Sequence, residues 1–318
     1  MIRRKRVRLN GKIVLITGGS RGLGLATAKE FAGEGAVVVI CSRDLEELER
    51  AKVQIDAIGG SSHVFACDVS SAQQVNNLVA RVQERVGPID VLVNNAGIIK
   101  VGPLLNMIRE DFEEAMDVMF WGIVNTTLGV LPSMLQRKQG SIINITSVGG
   151  KISVPHLLPY CCAKFAAMGF SEGLRTELAA EGIRVSTIVP GLMRTGSHLN
   201  ATFRGNHLGE YGWFAAGAAS PIVSIDAVRA ARSIVRAAQL GTGEMVLSVP
   251  AKLLVGMQGL WPQMLADVLV LANRFLPGVT EETTVKSGKQ LESRMESSAW
   301  RAFTKSGQKA ADALNELG

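Results

Sequence analysis

Short apolar runs rich in β-branched residues recur along most of the chain, and between them apolar residues return every three or four places. Ile13 to Thr17 is the first such run, and Ala36-Val-Val-Val-Ile-Cys41 is the second. The latter lacks polar alternation, as a parallel strand covered on both faces requires. The segment after it is helical in period: Leu45, Leu48, Ala51 and Ile55 share a face, while Glu46, Glu47, Glu49 and Lys52 fall on the solvated side. Further strands are predicted at His63–Cys67, Ile89–Val93, Ser141–Ile145, Ile183–Val189 and Met245–Leu247. Helices are predicted at Ala72–Val86, Arg109–Arg137, Ala163–Glu181 and about Asp226–Ala238. Seven strand–helix alternations with short connections predict an α/β fold, a doubly wound parallel seven-stranded sheet with helices on both faces. Residues 1–280 read as a single domain, and the polar residues 281–318 as a frayed or weakly helical tail.

Two stretches break the rhythm. Residues 193–221 have no clear period and carry Phe203, Tyr211, Trp213 and Phe214 among glycines and alanines, which predicts a mobile lid over an apolar ligand. Residues 251–277 form an apolar extension in which Pro262, Gln258, Gln263 and Asp267 argue against a membrane span. Two short amphipathic helices are predicted there, with a lid, an oligomer contact and a seat on a membrane surface all open.

Hydrophobic residues make up 47% of the chain and charged residues 19%. This is more apolar than an ordinary soluble domain, which points to surface hidden in an oligomer or at a membrane. The net charge of +6 owes much to Arg3, Arg4, Lys5, Arg6 and Arg8. A basic arm of this kind lacks the broad face and interleaved aromatics of a nucleic-acid binder, and reads as solvated or weakly drawn to anionic lipid. Cys41, Cys67, Cys161 and Cys162 have no metal-ligand spacing, so buried free thiols in a reducing, cytoplasmic setting are expected and no metal site is.

The chemistry starts where the first strand ends. Gly18, Gly22 and Gly24 let the chain turn sharply into a helix, whose N–H groups and dipole attract an anion such as a pyrophosphate. A second group lies between Ser141 and Lys164. Ser147 follows the fifth strand and so faces the crevice, and Tyr160 and Lys164, four apart, share a helix face. That spacing lets the ammonium lower the phenol's pKa while also holding a ribose hydroxyl. The phenol then gives or takes the proton that accompanies hydride transfer, and Ser147 hydrogen-bonds the same oxygen.

From about Gly11 to Val249 the chain resembles the short-chain dehydrogenase/reductase family. The resemblance rests on Thr17-Gly-Gly-Ser-Arg-Gly-Leu-Gly24, Asp68-Val69, Asn94-Asn-Ala-Gly97, Ser147, Tyr160-x-x-x-Lys164 and Pro190-Gly191 with Thr195. It implies a Rossmann-like fold, a homo-oligomer (dimer or tetramer) and a catalytic trio of Ser147, Tyr160 and Lys164. It also implies cofactor contacts from Thr17, Gly18, Ser20, Arg21, Gly22, Leu23, Gly24, Val69, Ala96, Gly97, Tyr160, Lys164, Pro190 and Gly191. In the same way Asp68 would meet the adenine, Asn95 would lie beside the cofactor while supporting the sheet, and Thr195 would reach the nicotinamide amide.

The second strand ends in Cys41-Ser42-Arg43, without the carboxylate that would hold a ribose 2′-hydroxyl, and Arg43 and Arg21 can fork onto a 2′-phosphate. NADP(H) is therefore expected over NAD(H). One position departs from the family: Met119 stands where members commonly carry an asparagine, and a thioether cannot hold a proton-relay water. Asn125 lies on another side of that helix. The reading is an NADP(H)-dependent oxidoreductase interconverting a ketone or aldehyde and an alcohol, on a lipophilic substrate. The other reading, motivated by Met119, is an NADP(H)-binding scaffold or sensor.

Overall fold

A computed structural model describes residues 6–220, 223–295 and 307–317. Arg3, Arg4 and Lys5 of the basic arm, and Pro221 of the expected lid, lie outside the described residues. Arg6 is not simply solvated: its guanidinium donates to Gln239 Oε1 at 2.7 Å, and the Val7 N–H donates to the Gln239 carbonyl.

Seven parallel strands form the central sheet: β1 Ile13–Thr17, β2 Val37–Ser42, β3 Ser61–Ala66, β4 Val91–Asn94, β5 Gly140–Ile145, β6 Ile183–Val189 and β7 Glu244–Val246. Their order is β7-β6-β5-β4-β1-β2-β3. β1 pairs with β2 on one side and with β4 on the other, so the winding reverses there and opens a crevice beyond their carboxyl ends. Alternate residues of each strand feed different layers. Val14, Ile16, Val38 and Ile40 pack with helices α1 (Gly22–Gly33), α2 (Leu45–Asp56) and α8 (Ala227–Leu240). Leu15, Val39 and Ile142 pack with α3 (Ala72–Arg85) and α5 (Gly122–Arg137). The period of two predicted from the runs thus becomes two apolar layers on one sheet.

The predicted helix Arg109–Arg137 is interrupted. It runs as α4 (Arg109–Met116), a π-helical turn at Asp117–Trp121, and then α5. Although long and apolar enough to cross a membrane by length and composition, it packs Val130 and Met134 into the core. Helix α6 (Leu158–Glu177) starts five residues before the predicted Ala163, with Pro159 in its first turn, where a missing N–H costs nothing. That earlier start brings Tyr160 onto the helix.

Residues 193–220 differ from the mobile aromatic lid predicted for them. They contain helix α7 (His207–Ala219), and Phe203, Tyr211 and Phe214 form a core with Val101, Leu157 and Leu291. Phe203 and Tyr211 meet edge to face with ring centroids 5.4 Å apart, because aromatic rings this size hide more area against one another than over an open cleft. The apolar extension does form two short helices, α9 (Val249–Leu260) and α10 (Pro262–Asn273), but they are not amphipathic in place, since only Ala251 and Leu265 are buried. After α11 (Gly288–Glu292), residues 307–313 are helical and residues 314–317 lie against the first βα turn. Of the two expectations for the tail, frayed or weakly helical, the helical one holds at residues 307–313, and these contacts correct the frayed one. Cys41, Cys67 and Cys161 are buried free thiols, whereas Cys162 is exposed.

Candidate active site

The site begins at the end of β1. The chain passes through the left-handed region at Gly18 (φ 62°) and Gly22 (φ 55°). A Cβ at Gly24 would stand 2.0 Å from the Gly18 carbonyl oxygen, so that position admits no side chain. Thr17, expected as a cofactor contact, is buried behind the turn and does not line the cleft. Its hydroxyl accepts the N–H groups of Asn95 and Ala96 at 3.0 and 3.1 Å. Asn95 in turn donates through Nδ2 to the Thr17 and Gly18 carbonyls, both at 3.0 Å. The ends of β1 and β4 are locked together, and this lock fixes the turn.

A cleft of about 520 Å³ opens over it, lined by Gly18, Ser20, Arg21, Gly22, Leu23 and Gly24 at one end. Arg43 at the end of β2, Asp68 and Val69 after β3, and Ala96 and Gly97 after β4 continue one wall. Ser147, Tyr160 and Lys164 stand on the same cleft with Pro190, Gly191 and Thr195. Every predicted site residue except Thr17 is therefore gathered at one crevice. Asp68 also opens the turn into α3, accepting the Ser70 N–H and hydroxyl at 3.0 and 2.7 Å. Asp44, the acid next to Arg43, caps α2 by accepting the Glu47 N–H.

Ser147 ends β5's continuation and caps a short 3₁₀ turn, its Oγ accepting the Gly149 N–H at 3.0 Å. Its side chain also hydrogen-bonds the Tyr160 phenol. Lys164, buried, donates through Nζ to the Ile145 carbonyl at 2.9 Å and sits 5.7 Å from the Tyr160 ring centroid. Burial dominates both groups. It pushes the phenol up to about 12, tempered by the Ser147 hydrogen bond, and the ammonium down to about 8. The lowered phenol expected from the i, i+4 spacing is not what the structure gives: burial holds Tyr160 above its ordinary value.

Arg21 does not reach outward as predicted. Its Nη1 pairs with Glu47 Oε1 at 2.6 Å, and its Nε lies 3.5 Å from Glu316 Oε2. Glu47, placed by its helical period on the solvated side of α2, is buried and also accepts the Ser20 hydroxyl at 3.0 Å. Arg43, by contrast, is exposed and has no ion-pair partner among the described residues.

Comparison with known proteins bears on this geometry. The profile of the short chain dehydrogenase family matches residues 12–203. The chain is 39% identical over 219 residues to a dehydrogenase/reductase SDR family protein 7-like of Anopheles gambiae, covering 67% of this chain and 69% of that one. It is 34% identical over 206 residues to human 17-beta-hydroxysteroid dehydrogenase 13, covering 64% and 69%. The structure of a gluconate 5-dehydrogenase from Burkholderia cenocepacia, in complex with NADP and tartrate, superimposes with a TM-score of 0.68 at 28% identity, over 78% of this chain and 98% of that one. The chain belongs to the short-chain dehydrogenase family. It is an NAD(P)-dependent oxidoreductase with a Rossmann-like sheet.

Within this short-chain dehydrogenase, Met119 is fully buried in the π-helical turn, packed with Ala115, Ala163, Ile98 and Tyr160. Asn125 turns away and donates to the Val69 and Ser70 carbonyls, so it does not replace the missing amide. Lys100 was not anticipated; it lines the cleft with its Nζ 2.9 Å from Asp111 Oδ1 and 2.6 Å from Glu114 Oε2. Glu316 was also missed. A signal for it is Ala311 and Leu314, small and apolar residues one helical turn apart just before it.

Proposed function

We propose that this dehydrogenase uses NADP(H) to interconvert a ketone or aldehyde and an alcohol on a lipophilic substrate. The observation that carries the reading is the convergence of Ser147, Tyr160 and Lys164 on the cleft that the glycine turn opens. The residues fit a dinucleotide, since the turn is as tight at Gly24 as only glycine allows and the N-terminal end of α1 that it opens suits a diphosphate. Gly18 to Gly24 would hold the diphosphate, Asp68 and Val69 the adenine side, Lys164 the ribose and Thr195 the nicotinamide amide. Arg43 would take a 2′-phosphate, and the neighbouring Asp44, which also lines the cleft, spends its Oδ1 on capping α2. The gluconate 5-dehydrogenase structure that this chain resembles holds NADP.

The bound dinucleotide supplies or accepts the hydride. The protein's own task is the proton. In the reducing direction Tyr160 gives its phenolic proton to the carbonyl oxygen, while the Ser147 hydroxyl hydrogen-bonds that oxygen and orients it. Lys164, desolvated beside the phenol, stabilises the phenolate left behind. Ile98, Ile99 and Met193 border this end of the cleft and favour an apolar substrate. NADPH oxidation with a panel of lipophilic ketones and aldehydes tests the proposal, with Tyr160→Phe expected to lower kcat/KM by about 10²- to 10⁴-fold while NADPH still binds. Tight NADPH binding without turnover on any of them would instead support the sensor reading, which the buried Met119 motivates.

Helices α9 and α10 favour a second element of the function, association with a membrane surface. Val268 and Val270, two positions apart and so on opposite sides of α10, are 48% and 61% exposed, as are Leu253 and Trp261 at 64% and 56%. A flat protein partner covers one side of a helix, whereas lipid covers all of them. Lys252 and Arg274 lie at the two ends that rejoin the body, where anionic headgroups would meet them. Ala251 touches the Gly191 wall, so the element is rooted at the cleft that a lipophilic substrate must enter. Flotation with anionic liposomes, lost on replacing Leu253, Val268 and Val270 by serine, is the expected result; failure of the intact protein to float removes this element and leaves the chemistry untouched.

A further inference from the structure

The anion seat of the glycine turn already holds part of this chain. The Leu314 carbonyl accepts the Gly22 N–H at 2.9 Å. Asn315 donates through Nδ2 to the Ser20 and Glu47 carbonyls at 2.9 and 3.0 Å, and its Oδ1 accepts from Arg50 Nε at 3.2 Å. The Glu316 carboxylate is 4% exposed, lies against Gly22 so that a Cβ there would meet its Oε1 at 2.5 Å, and accepts from Asn200. The same carboxylate is the one beside Arg21, and Glu316 lines the cleft. Upstream, Gln308 donates to Glu292 Oε1 at 2.8 Å, Ala311 packs on Gly196, and Leu314 is buried among Ala26, Ala227 and Ala231.

These contacts put a carboxylate and a carbonyl oxygen at the start of α1, where the turn offers its N–H groups to an anion, and they engage Arg21, one of two arginines able to grip a 2′-phosphate. The neighbouring gluconate 5-dehydrogenase is covered almost entirely by 78% of this chain, so the chain carries segments beyond what that enzyme needs.

We propose that residues 307–317 are an internal competitor of the dinucleotide, occupying the diphosphate seat through Leu314, Asn315 and Glu316 and leaving it when the cofactor binds. The proposal rests on the reading of the glycine turn as the NADP(H) site. It makes cofactor affinity a balance between a tethered carbonyl and carboxyl group and a free dinucleotide for the same N–H groups and the same arginine. Because the tethered one is present at a fixed effective concentration, it raises the cofactor's apparent Kd by the factor 1 plus its docking constant.

Calorimetric titration of NADPH into the whole chain, into the chain lacking residues 307–318, and into the Asn315→Ala/Glu316→Ala double variant provides the test. The Kd is expected to fall at least tenfold in both altered chains. An unchanged or weaker Kd in a double variant that keeps its unfolding midpoint overturns the proposal while leaving the cofactor reading intact. Failure of all three chains to bind either NADPH or NADH removes the cofactor reading itself, and the proposal with it. Amide hydrogen exchange on the unaltered chain supplies a readout that needs no variant. Residues 307–317 are expected to be protected without NADPH and to lose that protection at saturation; protection that stays or rises with NADPH overturns the proposal.

Discussion

Helices α9 and α10 are built mainly of apolar residues and bury only Ala251 and Leu265, whereas the segment 307–317, with Lys309, Asp312, Asn315 and Glu316 along it, buries both Asn315 and Glu316. Composition alone would assign the two the other way round. The difference lies in what each segment meets. Asn315 finds two carbonyls and an arginine, and Glu316 finds Asn200 and Arg21, so each polar group exchanges water for partners. The apolar helices have no comparable protein surface to lie on. Burial in this molecule follows the availability of a complementary seat, and hydropathy decides only when both candidates have one.

The comparison is broken most completely by removing the seat. Gly24→Ala puts a methyl group 2.0 Å from the Gly18 carbonyl and 2.6 Å from Asn95 Nδ2, so the turn must open. Both occupants should then lose their place: NADPH binding falls below detection by calorimetry, and amides of residues 307–317 exchange rapidly. Exchange in α9 and α10 should not change. Tail protection that survives Gly24→Ala would mean that the apolar anchor at Leu314, and not the glycine turn, is what holds the segment.

That turn, the seven strands and the Ser147, Tyr160 and Lys164 group were legible in the sequence, because they depend on local rules: uninterrupted β-branched runs, glycines where a Cβ cannot fit, and an i, i+4 pair on one helix. Thr17 was misread for the same reason, since its neighbours in sequence face the crevice while its hydroxyl is spent on Asn95 and Ala96. Glu47 and Glu316 were not legible. Each is buried by a group far away in the chain, 26 residues in one case and 295 in the other, and a helical period cannot distinguish a carboxylate facing water from one facing an arginine. The phenol's pKa failed similarly, because the spacing of Tyr160 and Lys164 gives their proximity but not the depth of the wall around them.

A pair of matched truncations sharpens the contrast next. Leu314, 5% exposed, loses a packed side chain in Leu314→Ala, which should weaken docking of the segment by about 2–5 kcal/mol and tighten NADPH binding accordingly. Leu253→Ala, at a side chain 64% exposed, should leave NADPH affinity and unfolding free energy within about 0.5 kcal/mol of the parent. Equal effects from the two would erase the distinction between seated and unseated segments.

Titration separates them again, by a smaller margin. Burial pushes the docked Glu316 carboxyl up to about 7 from 4.5, opposed by Arg21 at the start of α1 and Lys289 on α11 and reinforced by Glu47 on α2; Asn200 beside it is neutral. A carboxyl whose docked pKa is raised favours docking most below its free value and loses that advantage as pH climbs through the docked value. Apparent Kd for NADP+ should therefore fall by up to about tenfold per pH unit between 5.5 and 7, and level off above. The ligand's own phosphate titrates in the same window, so the informative quantity is the difference from Glu316→Gln, which should retain only the ligand's slope. Identical slopes would show that the carboxyl sheds no proton on release. Serine substitutions at Leu253, Val268 and Val270, none of which is ionisable, should leave the slope alone.

The smallest effect belongs to the exposed helices themselves. Changing Val268 and Val270 to serine removes apolar area of which about half or more already faces outward, so little burial is lost on the folded side. Each substitution should move the urea midpoint by an amount equivalent to about 0.5 kcal/mol or less, while Leu265→Ser, at the one buried position of α10, should cost several times more. The ranking is informative because it is measured without lipid. If Val268→Ser or Val270→Ser destabilised the protein as much as Leu265→Ser does, those side chains would have to be covered in solution, by a second copy of the chain, and the contrast with the seated segment would be one of partner and not of exposure.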